Sequence, residues 1–162
     1  METRTITTLQ PSLEELKRHL RITADDLDQE LTAILKGAIM SAEHEISTVI
    51  SASSFVLTRE FARSIKLRWP VTGVTSVKVD GDAVDASKYS YDEKSITFAE
   101  DVEGSNVEVA YTAGLSAAPD DIKSAVLLLA GSLFNNPTDR PEERDRTTAR
   151  NLLRPYRTWG HH

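Results

Sequence analysis

The chain has 162 residues, 40% of them hydrophobic and 27% charged, with 19 Lys plus Arg against 25 Asp plus Glu for a net charge of −6. That composition supports one packed domain over residues 1–162 and argues against a protein that coats nucleic acid with its whole surface, which needs a net basic footprint. The absence of cysteine excludes disulfides, thiolate metal sites and thiol nucleophiles, and no apolar run approaches the ~20 residues of a membrane span.

Residues 1–11 read as a polar, Thr-rich N-terminal arm without the apolar centre of a signal peptide. Its removal up to residue 9 is expected to leave the protein folded. Residues 12–53 read as helical. Ser12-Leu13-Glu14-Glu15 is a capping box, in which the serine hydroxyl accepts from the Glu15 N–H and the Glu15 carboxylate reaches back to Ser12. It opens a short helix with Leu13, Leu16 and Leu20 on one side. A second helix starts beyond Thr23, where Asp25 and Asp26 suit the positive end of its dipole. Leu27, Leu31, Ile34, Leu35, Ala38, Ala42, Ile46 and Val49 then recur at helical spacing within an arc of about 120°, opposite Asp28, Lys36 and Glu43.

Across residues 54–112 the period changes to that of strands. Phe55, Leu57, Arg59 and Phe61 alternate with Val56, Thr58 and Glu60, and Ile65, Leu67 and Trp69 alternate with Lys66 and Arg68 as far as Pro70. Val74 to Val79 runs into Asp80-Gly81, a hairpin signal because that turn needs positive φ. Tyr89 with Tyr91, Ile96 with Phe98, and Val107 with Val109 and Tyr111 supply further short strands of an antiparallel sheet. Residues 119–155 return to helix. Pro119 and Asp120-Asp121 open a segment, Ile122 to Phe134, that is apolar nearly all round and must be covered on more than one side, either within the subunit or by neighbouring copies. A last helix runs from about Pro141 to Arg154, and residues 156–162 form a short tail containing Trp159.

The residues offer little catalytic chemistry. His44 lies between Glu43 and Glu45, but no second histidine follows at metal-ligand spacing, and a solvated helix face is the expected setting. Asp80, Asp82 and Asp85 space like part of a calcium loop, yet Tyr91 stands where the liganding glutamate belongs. Gly114-Leu115-Ser116 begins like a nucleophile elbow, with Ala118 in place of its second glycine. No catalytic, cofactor or metal site is expected.

Charge distribution says more. Residues 1–137 carry 13 basic and 21 acidic side chains, whereas residues 138–162 carry six arginines against four acids. Arg146, Arg150 and Arg154 recur every fourth residue on one stripe of the last helix. Such a stripe is either a solvated face whose arginines pair with Glu142, Glu143 and Asp145, or a docking element completed by Tyr156 and Trp159 and aimed at an acidic partner.

Five segments share a further feature. Ser12 to Ile22 before an acidic stretch and a long helix, Pro70-Val71-Thr72-Gly73-Val74-Thr75-Ser76-Val77, Val109-Ala110-Tyr111-Thr112-Ala113-Gly114, Pro119-Asp120-Asp121-Ile122-Lys123-Ser124-Ala125, and Leu152-Leu153-Arg154-Pro155-Tyr156-Arg157 occur in order over most of the chain. Together they resemble the head–tail connector (portal adaptor, head completion) proteins of tailed bacteriophages and prophages. The resemblance implies an α+β fold: a bundle of about four helices with an antiparallel β insertion between the second and third. It also implies a structural protein rather than an enzyme, located in the virion and, during assembly, in the host cytoplasm. Its copies would form a dodecameric ring that docks beneath the portal protein, extends the channel for double-stranded DNA, and offers a platform to a downstream neck or tail-completion protein. The segment from Arg150 to Trp159 would reach toward the portal. The alternatives are another neck or tail-completion component, or a small α+β hydrolase or ligand-binding module.

Overall fold

The computed structural model describes residues 1–136 and 143–157, with only the backbone for 143–145. The fold is α+β, with strands inserted between the second and third of four helices. It divides into two compact units: Met1–Thr7 with Ala52–Leu115, and Thr8–Ser51 with residues from Ser116 onward.

The first unit is built from eight strands: β1 (Glu2–Thr8), β2 (Ala52–Glu60), β3 (Ser64–Lys66), β4 (Val71–Val79), β5 (Asp82–Ala83), β6 (Tyr89–Tyr91), β7 (Ser95–Phe98) and β8 (Asn106–Ala113). Five form a sheet in the order β1-β2-β8-β4-β5 and three form a second sheet, β3-β7-β6. Strand β8 is central to the larger sheet and pairs antiparallel with both β2 and β4. Its alternation therefore decides the core: Val107, Val109, Tyr111 and Ala113 are buried, beside Phe55 of β2 and Val71, Val77 and Val79 of β4. Asp80 at φ 51° and Gly81 at φ 95° make the expected turn from β4 to β5. The run Ile65 to Trp69 yields only the three-residue β3, whose ladder with β7 ends at Lys66 and Ser95, although the Leu67 N–H still donates to the Lys94 carbonyl.

The segment read as an N-terminal arm is largely strand. In β1 the side chains of Thr3, Thr5 and Thr7 are exposed, while Glu2, Arg4 and Ile6 turn inward and are half-buried. The Met1 ammonium donates to the Thr58 carbonyl, Arg4 Nε donates to Ser53 Oγ at 3.0 Å, and the Thr7 hydroxyl donates to the Ala52 carbonyl. Glu2 goes deepest. It accepts from the buried Tyr111 hydroxyl at 2.9 Å and from Arg68 Nε at 3.0 Å.

The second unit holds α1 (Leu13–Leu20), α2 (Asp28–Ile46), α3 (Asp120–Asn135) and α4 (Glu143–Leu153), followed by a 3-10 turn at Arg154–Tyr156. The capping box is formed as expected: Glu15 N–H donates to Ser12 Oγ and Ser12 N–H donates to Glu15 Oε2. Leu31, Leu35, Ala38, Ile39, Ala42 and Ile46 form the buried stripe of α2. Helix α3 packs against α1, α2 and α4, so the covering its apolar faces require comes largely from its own unit. Leu127 and Leu128 remain half-buried.

Glu43 departs from expectation. Helical spacing places it on the polar face of the long helix, yet it is 8% exposed. Helix α2 stops at Ser47, which takes a left-handed conformation, and the chain doubles back over the last turn. The Glu43 carboxylate there accepts from the N–H groups of Ile50 and Ser51, groups that would otherwise lose water without a partner.

Candidate docking surface

The last helix is amphipathic in the sense its sequence demands. Ala149 and Leu153 are each 1% exposed and face the unit's interior, while the arginine stripe lies alongside. Arg150 and Arg154 are exposed and Arg146 is half-buried. Pro155 ends the α-helical ladder, and Arg154–Tyr156 continues as one tighter turn.

This stripe borders a cleft of about 60 Å³ between Ser41 and Glu45 of α2, Leu129 of α3, and Arg146 and Arg150 of α4. Small-molecule sites usually enclose roughly 300–1,000 Å³, so the cleft suits a side chain rather than a metabolite. At its edge Glu45 accepts from the Arg157 guanidinium and stands 3.9 Å from Arg150 Nε. Burial, and then the neighbouring Asp121 carboxylate, push the Tyr156 hydroxyl above its ordinary pKa; the two side chains share a hydrogen bond.

Of the arginine stripe, Arg150 is paired across the helical unit. Arg150 meets Glu45 of α2, whereas Glu142 and the side chains of Glu143 and Asp145 lie outside the described residues. Among the described residues Arg146 and Arg154 make no ion pair. Trp159 of the expected docking set also lies outside the described residues. The structure sets Arg146 and Arg150 along α4 and Arg154 and Tyr156 in the turn that follows it. It adds Arg157 and Glu45, which no local spacing pointed to because they stand 112 residues apart in the chain.

The other candidates have structural employment. His44 is exposed on α2. Asp80 accepts from the N–H groups of Ser105 and Asn106, which holds its carboxyl below the usual range, and Asp85 caps the turn at Ser87. Gly114 closes β8 at φ 142°, its N–H donating to the Pro70 carbonyl, a strand end rather than a nucleophile elbow. Among the described residues no group of three His, Asp or Glu could hold a metal ion, and no helix is long and apolar enough to cross a membrane.

Comparison with known proteins follows the same direction. The sequence profile of a family described as "Head completion protein" matches residues 11–134. No curated protein matches the sequence significantly. Among solved structures, a chain in the neck of an empty gene transfer agent particle, computed with C6 symmetry, superposes with a TM-score of 0.76 at 22% identity, covering 97% of this chain and 95% of that one. A chain in the neck of the native particle, computed with C12 symmetry, gives a TM-score of 0.72 at 22% identity, covering 97% and 94%. A chain in the virion of the native particle gives 0.75 at 22% identity, covering 97% and 95%.

Proposed function

This chain belongs to the head completion protein family of phage head–tail connectors, and from that premise we propose that it works as a ring subunit seated beneath the portal. Membership makes it a structural protein of head completion; the ring, its docking and the channel are our reading. Copies of the chain stand side by side around the path of the DNA, one end of the ring meets the portal, and the other receives the next neck or tail-completion protein. The twelvefold and sixfold symmetries under which the similar neck chains were computed support a closed ring, which we read as a dodecamer.

The observation that carries the docking half of this reading is the stripe on α4. Arg146 on α4 and Arg154 in the turn that follows flank the buried anchors Ala149 and Leu153, and among the described residues they have no ion partner. Arginine forks held rigidly are suited to carboxylates on a facing protein. An overall charge of −6 suits a conduit, since DNA sliding past an acidic wall releases few counterions and is not held.

The test is a double substitution, Arg146→Glu with Arg154→Glu. Helix and core are expected to persist, by circular dichroism and melting, because neither guanidinium is tied into the unit. Binding to portal particles should fall at least tenfold, as charge reversal places acid against acid. Unchanged portal binding removes α4 as the docking element, and co-purification with tail tube instead of portal moves the protein to the tail side of the neck.

A further inference from the structure

Two guanidinium groups on either side of the 3-10 turn, Arg150 and Arg157, converge on the single carboxylate of Glu45. Helix stability does not explain a glutamate at that position. Glu45 lies in the last turn of α2, where the dipole is negative and a cation is the favoured residue. Its companions in the cleft are Ser41 one turn back and Arg146 across from it, so the acid is set in basic surroundings supplied by the C-terminal segment. The exposures are suited to exchange: the Glu45 side chain is 26% exposed, Arg150 56% and Arg157 44%. Pairs this open to water hold weakly and re-form with another carboxylate at little cost.

We propose that Glu45 is an internal stand-in for a partner's carboxylate: the arginines around the 3-10 turn form a recognition site for an acidic segment of the protein on which this chain docks, and Glu45 keeps that site filled until the segment displaces it. The proposal deepens the docking reading and rests on it for the identity of the partner. Displacement releases Arg150 and Arg157 to join Arg146 and Arg154, turning a stripe with two engaged guanidiniums into one with four available. Glu45, already partly hydrated, is left facing water. The unassembled subunit thus presents a basic patch muted by its own acid, which limits non-specific capture of acidic surfaces and of copies of the same acidic chain.

The experiment compares the full chain with Glu45→Gln, a substitution of the same shape that removes the charge the helix end disfavours. Two probes are used: a short oligoglutamate peptide, followed by amide chemical shifts, and the cognate portal protein, followed by sedimentation of the complex. The variant is expected to bind both about threefold to tenfold tighter than the native chain at low salt, the range set by one or two exposed ion pairs, with the gap closing at high salt. Hydrogen exchange over residues 150–157 of the isolated variant should also rise. Equal or weaker binding by Glu45→Gln overturns the stand-in. If that result comes while Arg146→Glu with Arg154→Glu still abolishes portal binding, the docking surface stands and only the stand-in falls. If the variant gains affinity for the peptide but portal binding ignores both sets of substitutions, the carboxylate site stands and the portal is the wrong partner.

Discussion

Tyr111 in the strand unit and Leu35 in the helical unit are both fully buried, at 1% and 0% exposure, but they hold their surroundings by different means. Leu35 belongs to an apolar stripe that packs against its neighbours without polar atoms. Tyr111 stacks on Phe55 at 5.0 Å with the rings 12° apart, and its hydroxyl ends among polar groups: it donates to Glu2 and accepts from the Arg68 N–H at 3.2 Å. Arg4 places its guanidinium over the Phe55 ring, 5.4 Å from the centroid. The helical unit therefore depends on volume and the β unit depends also on register, since a slip of β1 by one residue would turn Glu2 and Arg4 out to water and Thr3 inward.

The largest expected effect tests the first half of that contrast. Leu35→Ala should cost about 2–5 kcal/mol in urea unfolding, from lost transfer energy plus the cavity left in a stripe bounded by rigid helices. A cost below about 1 kcal/mol would mean that α2 and α3 close over the gap. The second half is tested by Tyr111→Phe, which keeps the stacked ring and removes only the hydroxyl. The Arg68 N–H loses its acceptor and Glu2 loses one of two donors, so the expected cost is about 1–3 kcal/mol. At pH 7 burial keeps the phenol neutral, pushing its pKa far above the ordinary value, so the native contact is one of donor to carboxylate throughout the physiological range. A variant as stable as the native chain would show that pairing with β2 alone places β1.

How far this contrast was legible beforehand follows from the reach of each signal. The capping box at Ser12, the stripe of α2, the alternation of β8 and the Asp80-Gly81 turn all lie within a few residues of their cause, and the chain read alone displays them. The strand β1 was hidden because its inward positions carry Glu2 and Arg4, charged residues whose burial makes sense only beside Tyr111 and Phe55, about a hundred residues on for Glu2. Glu43 was hidden for a shorter-range reason: its partners are backbone groups of Ile50 and Ser51, which have no sequence signature. At the docking surface the arginine stripe was readable from its spacing of four. Its acid, Glu45, was not, because the contact that gives it meaning crosses from α2 to the end of the chain.

The smallest expected effect concerns a contact that is local in sequence and sits at the start of the helical unit. The Ser12 backbone N–H donates to Glu15 at 2.8 Å and, among further contributions, Lys123 approaches its other oxygen at 3.4 Å. The backbone bond from Ser12 holds the Glu15 carboxyl below its ordinary value of 4.5; burial opposes it, and the Lys123 charge adds a smaller lowering. A carboxyl whose pKa is lowered on folding adds stability above its unfolded value, and that contribution disappears as the pH falls through the folded one. Ser12→Ala removes the serine hydroxyl and should cost about 1 kcal/mol at pH 7. Glu15→Gln keeps a weaker acceptor but cannot ionise, so its deficit relative to the native chain should be largest at neutral pH and shrink below about pH 4. Urea midpoints at pH 7 and pH 3.5 provide the measurement. A deficit that stays constant across that range would show that Glu15 acts in the cap only through its shape, and the short-range charge at α1 would then contribute nothing that the volume-filling stripe of α2 does not already supply.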